Sequence, residues 1–290
     1  MHERFAVGST SSICFGWLVH RARLVAVKRM HPFQIVTGPA RRVGHPNVIE
    51  RLGVFRRPGE LLATMEYVPG ASLAEIAQLP PAIARAVMAD ALRGLHAVHH
   101  ARLGALPRGV SPTGIIVGED GYARVVDVDV HGPLTAPALV HELPYASPEQ
   151  VLHRDHPADV RRDVYAASVV LWEALTGRRL FRMPTIEAMI GAILRGDVPP
   201  PSAFAPEIDE GLDAIVLRGL ARDPNDRFPS ALAMATELER TSRASPADIA
   251  AALAEMDLPS LMRRRAMAAA VITRESNPLH IECNEGVPKA

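Results

Sequence analysis

The sequence predicts an α+β chain of two lobes, a small antiparallel β lobe followed by a larger helical one. Three observations carry this. Up to about Pro69, short β-branched or aromatic runs alternate with turn residues, as in a small antiparallel sheet. After Pro69-Gly70, apolar residues recur at helical spacing in segment after segment. Within that second part, the runs GIIVG and YARVVDV flank Glu119-Asp120-Gly121, a turn signal, and read as a hairpin near the junction. The boundaries expected are a small lobe over 1–69, a large lobe over 70–240 and a helical tail over 241–290. The last residues of that tail show no periodicity and are expected to be mobile.

Taken in order, FAVGS, CFGWLVH and RLVAVKRM are the first strands, and VIERLGVF with ELLATMEYV forms a hairpin around Arg56-Arg57-Pro58-Gly59. PAIARAVMADALRGLHAVHH is a helix entered through Pro81, whose fixed φ suits a first helical position. Beyond Pro148, helices are expected over DVYAASVVLWEALTG, TIEAMIGAILRGD, DEGLDAIVLRGLA and SALAMATELER, with Gly177 and Gly196 placed as C-caps. The tail adds ASPADIAAALAEM, started at Ser245-Pro246, and SLMRRRAMAAAVI. Its basic triplet Arg263-Arg264-Arg265 reads as the polar face of a helix.

Composition narrows the function. The 290 residues are 48% hydrophobic and 22% charged, an ordinary globular balance with enough chain for a sizeable core. Lys+Arg and Asp+Glu are 32 each, so there is no basic surplus for a nucleic acid or an acidic membrane. Cys14 and Cys283 form no CxxC pair and read as free thiols of a reducing compartment. MHERFAVGSTSS lacks the apolar core of a signal peptide, and no run reaches the ~20 apolar residues of a membrane span. A cytoplasmic protein is expected.

Five segments then occur in a telling order: VAVK ending at Lys28, MEYVPGASL from Met65, LPYASPEQ from Leu143, DVYAASVVLWEALTGRRLF from Asp163 and DPNDRF ending at Phe228. Over roughly Phe5 to Arg240 the chain resembles the eukaryotic-type Ser/Thr protein kinases of bacteria. The resemblance implies that Lys28 pairs with nucleotide phosphates and that MEYVPGASL is the hinge between lobes. It further implies that LPYASPEQ ends the activation segment and that Glu149 pairs with Arg227.

The catalytic positions depart from that pattern. Where the family reads His-Arg-Asp and, after a short spacer, Asn, this chain reads Pro107-Arg108-Gly109-Val110-Ser111-Pro112-Thr113-Gly114. Gly109 stands at the base position and Gly114 at the metal-ligating Asn, and glycine can neither accept a proton nor bind a cation. Between Lys28 and His45-Pro46-Asn47 there is no acidic residue, and Pro32, Gly38 and Pro39 break any helix, so the family's glutamate partner for the lysine is missing. Gly8 is kept from the phosphate loop, while Thr10 and Ile13 replace its other glycines. Asp-Phe-Gly has become Asp127-Val128-Asp129.

The sequence therefore reads as a pseudokinase with no catalytic residues, acting as a regulator or scaffold for protein partners, signalling proteins or an active kinase among them. Nucleotide contacts implied by the resemblance are Gly8, Ala26, Lys28, Glu66, Val68 and Ile116, with Asp127 as the metal ligand. ATP binding, with or without magnesium, is expected to be weak or absent. The alternative is a low-activity or atypical Ser/Thr-type kinase using ATP, with Asp129 or Glu142 as acid or base, or one transferring a different group from a reoriented nucleotide. A third reading is an adaptor whose cleft is occluded by Ile13 and Phe15. Arg108 facing an activation-segment phosphate, with Thr135 as acceptor or Glu142 as permanent charge, is weighed against plain surface charge. His96, His99 and His100 read as packing residues rather than metal ligands, and Asp127 with Asp129 as solvated loop acids rather than a cation site.

Overall fold

The computed structural model describes residues 4–7, 11–18, 23–30, 35–36, 43–57, 60–101, 110–126, 130–131, 142–152, 159–240 and 244–273. The expected mobile end, the phosphate-loop residues Gly8 and Thr10, the positions Arg108, Gly109, Asp127, Asp129 and Thr135, and Cys283 lie outside them.

The small lobe opens with β1 (Arg4–Val7), β2 (Ser11–Leu18) and β3 (Arg23–Met30). A two-residue strand β4 (Ile35–Val36) follows, then β5 (Arg51–Arg57) and β6 (Glu60–Glu66). Five of these form one antiparallel sheet in the order β1-β2-β3-β6-β5. Side chains alternate across it, so Cys14, Leu18, Val25, Val27 and Leu62 bury one face with Leu52 and Phe55 packed against them. On the other face lie Phe15, opposite Ala26, and Ala63, opposite Lys28. Among the described residues between β3 and β5 there is no helix; β4 is extended and pairs with Val130–His131.

The large lobe begins with β7 (Gly70–Ser72), which joins β8 (Ile115–Gly118) and β9 (Ala123–Val125) in a three-stranded sheet. The strand Val130–His131 is β10. Among the described residues the helices are α1 (Pro81–His100), α2 (Pro148–Leu152), α3 (Arg161–Thr176), α4 (Ile186–Arg195), α5 (Glu210–Gly219), α6 (Ala231–Arg240), α7 (Pro246–Glu255) and α8 (Pro259–Thr273). Helix α1 starts where Pro81 was expected to start it. Helices α3 and α4 end on Gly177 and Gly196 in the left-handed conformation, at φ 66° and 72°, which a residue without Cβ adopts at no steric cost. Helix α3 is buried almost all round and forms the axis of the core. No described helix is long and apolar enough to cross a membrane.

The lobes are stitched together around Asn47. Its side-chain amide donates to the Ala123 carbonyl at 2.9 Å, and its own carbonyl accepts from Val125 N–H at 2.9 Å. Ile49 N–H returns to the Val125 carbonyl at 3.0 Å. Helix α1 approaches this knot closely because position 94 is glycine: a Cβ there would sit 2.1 Å from the Asn47 carbonyl oxygen. The connector from Glu66 to Gly70 thus runs beside a second, non-covalent bridge between the lobes.

Candidate functional site

Alternate residues on a strand share a face, so Ala26 and Lys28 point the same way from β3. Phe15 and Ile13 flank them from β2, Met65 and Ala63 from β6. Phe15 is only 5% exposed and meets the connector residue Tyr67 edge to face, with ring centroids 4.9 Å apart. Burial raises the Tyr67 phenol above its ordinary range, so it stays protonated. The ring of Phe15, whose backbone pairs with Ala26, thus links the sheet to the connector.

Glu66 is fixed on three sides. Its N–H donates to the Glu50 carbonyl at 2.9 Å, and its carboxylate accepts from Glu50 N–H at 3.0 Å and from Arg23 at 3.1 Å. Any backbone contact that it offers a ligand comes from its carbonyl. Val68 is half-buried on the connector, and Ile116 lies half-buried on β8 opposite Ser72. The structure therefore groups Ala26 with Lys28 on the sheet and Glu66 with Val68 on the connector, while Ile116 belongs to the large lobe. Gly8 and Asp127 fall outside the described residues.

Val110 and Pro112 are buried and anchor the segment that leads into a 3-10 turn over Pro112–Gly114. Gly114 N–H donates to the Ser111 carbonyl at 2.9 Å, and the Gly114 carbonyl accepts from Val126 N–H at 2.8 Å. This glycine is not forced by its surroundings. Its φ is not among the positive ones, and a Cβ would lie 3.6 Å from Ser111 Oγ and 3.7 Å from the Val126 carbonyl, ordinary contacts. What the position lacks is a polar group, not room for one.

Elsewhere the large lobe is held by paired charges. Arg227 donates from Nη1 and Nη2 to the two oxygens of Glu149, both at 2.8 Å, and its remaining donors go to the carbonyls of Ala221, Arg161 and Arg222. Burial opposes ionisation of Glu149, but the bidentate arginine outweighs it and holds the carboxyl below its usual range. Tyr145 O–H donates to Glu173 at 2.9 Å, and Arg179 donates to the same carboxylate at 2.9 Å. Asp163 is wholly buried at the start of α3, with Oδ2 at 2.8 Å from His99 Nε2. Burial pushes the Asp163 carboxyl up, and the hydrogen bond with His99 opposes that rise. His96 and His100 meet edge to face at 4.3 Å, and among the described residues no group of three or more His, Cys, Asp or Glu side chains could hold a metal ion. Glu142 is exposed.

A model of the protein kinase domain matches residues 7–238. The chain belongs to the protein kinase family. Its two-lobed architecture, antiparallel sheet above and helical body below, is that of the kinase domain. Among known kinases, it is 30% identical to the tyrosine-protein kinase MasK of Myxococcus xanthus over 248 residues, 75% of this chain and 38% of that protein. It is 32% identical to the serine/threonine-protein kinase PknL of Mycobacterium tuberculosis over 263 residues, 82% of this chain and 64% of that one. Against the serine/threonine-protein kinase PknB of Mycobacterium leprae it is 31% identical over 209 residues, 68% and 33% of the two chains. The chain spans less than two thirds of the length of each of these relatives.

One sequence expectation needs correction. The triplet Arg263-Arg264-Arg265 is not simply the polar face of the tail helix: Arg264 is 6% exposed and ion-paired, while Arg265 stays at the surface. The signal was present in the spacing. Leu261, Arg264 and Ala268 share one face of α8, so the middle arginine falls on the apolar stripe.

Proposed function

We propose that this kinase-family chain works by binding protein partners rather than by transferring phosphate. The observation that carries the reading is the pair of glycines at positions 109 and 114. By resemblance to the family these are the proton acceptor and a magnesium ligand. Phosphoryl transfer depends on positioning and charge neutralisation by a few polar atoms. Loss of a general base typically costs ~10²–10⁴ in rate, and loss of a metal ligand removes further stabilisation of the transferring group. An ordinary kinase turnover of ~1–100 per second would then fall to a rate far too slow for signalling. The partners are signalling proteins, an active kinase among them, and the compartment is the cytoplasm.

Family kinases use ATP with magnesium, and the residues here fit the adenine end better than the phosphate end. Adenine would lie between Ala26 and Ile116, against the backbone of Glu66 to Val68, with Lys28 and Gly8 toward the phosphates and Asp127 toward the metal. Phe15, on the same face of the sheet as Ala26, packs edge to face on Tyr67 beside that position. Binding is expected to be weak or absent, and a cleft filled by its own aromatic side chains is the limiting case.

A second reading is a low-activity Ser/Thr-type protein kinase. It is favoured by the relatives' own names, each of which is that of a kinase. Radiolabel transfer from ATP to a generic protein substrate, compared with a Lys28→Ala/Asp127→Ala double variant, separates the two. Equal background in both supports the binding role; transfer lost in the double variant establishes the enzyme.

A further inference from the structure

The kinase-domain match ends at residue 238, yet the chain beyond it is folded onto the domain. Helix α7 is started by a reciprocal cap. Ser245 N–H donates to Asp248 Oδ2 at 2.8 Å, and Asp248 N–H donates to Ser245 Oγ at 3.3 Å. Its first turn rests on the β8–β9 hairpin. Gly121, at φ 79°, leaves so little space there that a Cβ would fall 1.8 Å from the Pro246 carbonyl oxygen. Ile249 and Leu253 then enter the main core.

Helix α8 continues from this anchored start. Leu258 and Leu261 belong to the large-lobe core. One turn later Arg264 donates to Glu75 at 2.6 and 3.2 Å and to the Gly70 carbonyl at 2.9 Å. Glu75 is itself held by the N–H and hydroxyl of Ser72, both at 2.9 Å. Arg265 adds a contact of 2.9 Å to Glu119, whose N–H donates to the Pro69 carbonyl at 2.8 Å. The arginines therefore grip both sides of the point where the connector enters the large lobe. Farther along, the same helix lies against β1, β2 and β3 of the small lobe, with Ala268 buried. Fifteen residues of α-helix make a rod about 22 Å long, enough to reach from one lobe to the other.

We infer that the surface beside the interlobe connector is a helix-docking site whose occupant is the chain's own α8, and that the docked helix splints the two lobes at a fixed angle. Arg264 is its bolt: a buried guanidinium whose donors are taken by Glu75 and Gly70 has no cheap alternative to the docked state. The device is independent of whether the cleft transfers phosphate, because every group in it lies outside the catalytic loop. A splinted pair of lobes presents partners with one shape rather than a range of openings.

Hydrogen exchange followed by mass spectrometry on the full chain tests this, comparing wild type with Arg264→Glu, Glu75→Arg and the double charge swap. Arg264→Glu is expected to speed exchange at least about tenfold in three places together: α8, the connector at 66–72, and β2. Helices α1 and α3 keep their protection, and the charge swap restores much of the lost protection. Faster exchange confined to α8 would mean a pendant helix and overturn the splint, as would a wild-type α8 that exchanges as fast as an unstructured peptide. Should Arg264→Glu fail to fold, Arg264→Lys, which keeps the charge but loses the fork, is expected to loosen the same three segments by a smaller factor. No change in any of them would also overturn it.

Discussion

Arg227 and Glu149 meet through two parallel N–H···O contacts of 2.8 Å, and the arginine side chain is completely buried beneath them. Its ring-facing side lies 4.9 Å from the centre of Tyr165 on α3. The pair ties α2, which carries Glu149, to the helical core, and it does so whether or not the protein turns over substrate. Removing one partner leaves the other charge buried and uncompensated, at a cost of ~3–5 kcal/mol. Arg227→Ala is therefore expected to lose about that much stability in urea unfolding, far more than removal of the exposed Arg240, which pairs with Glu237 at the surface.

Acid should act on the tail through Glu75. Burial opposes its ionisation, but hydrogen bonds from Arg264, Ser260 and Ser72 prevail and lower its pKa from 4.5 to about 2. A carboxyl depressed in the folded state adds stability that is present above about pH 4.5 and lost as pH falls toward 2. The stability gap between wild type and Glu75→Gln is thus expected to be full at pH 6 and to shrink steadily below pH 4.5. Unfolding titrations at several pH values, each done on both proteins, read that gap directly.

Two glycine substitutions should behave oppositely. Gly121→Ala places a Cβ at φ 79° and against the Pro246 carbonyl, so it is expected to destabilise by more than ~1 kcal/mol and to loosen α7. Gly114→Ala meets only ordinary contacts and is expected to change stability by no more than ~0.5 kcal/mol. Thermal melts of both variants distinguish a glycine required by geometry from one that merely lacks a side chain.

Much of the fold could be read from residue order because local signals agreed with the tertiary arrangement. Pro81 opened α1, Gly177 and Gly196 closed α3 and α4, and Ser245 capped α7, each where a local rule places it. The bidentate Glu149–Arg227 pair was expected from family resemblance alone; the two residues are 78 apart and no local rule links them. Strand β7 went unread since three residues with two small side chains carry no period. The pairing of β4 with β10 is likewise set across almost 100 residues of chain, beyond any local signal. The Arg264–Glu75 contact was hidden for a different reason. An arginine run looks solvated by composition, and only the phase of the helix shows which of the three turns inward. His99 illustrates the limit from the other side: packing was foreseen, but its partner Asp163 lies 64 residues away.

Nucleotide should leave only a slight mark on stability. A ligand at a concentration no higher than its Kd stabilises by at most ~0.4 kcal/mol, which for a chain of this size moves Tm by about 1 °C. That is the shift expected with ATP and magnesium, and Lys28→Ala is expected to remove it. A magnesium-dependent rise of several degrees would show that the phosphate end of the cleft binds well despite its lost glycines.

The central claim, that Gly109 and Gly114 have taken the chemistry out of a kinase scaffold, is tested most directly by measuring radiolabel transfer from ATP by wild type and by Gly109→Asp/Gly114→Asn side by side. The account predicts wild-type transfer no greater than that of Lys28→Ala/Asp127→Ala, with any gain confined to the restored variant. Brisk transfer by the wild type, abolished in the Lys28/Asp127 control, would contradict it.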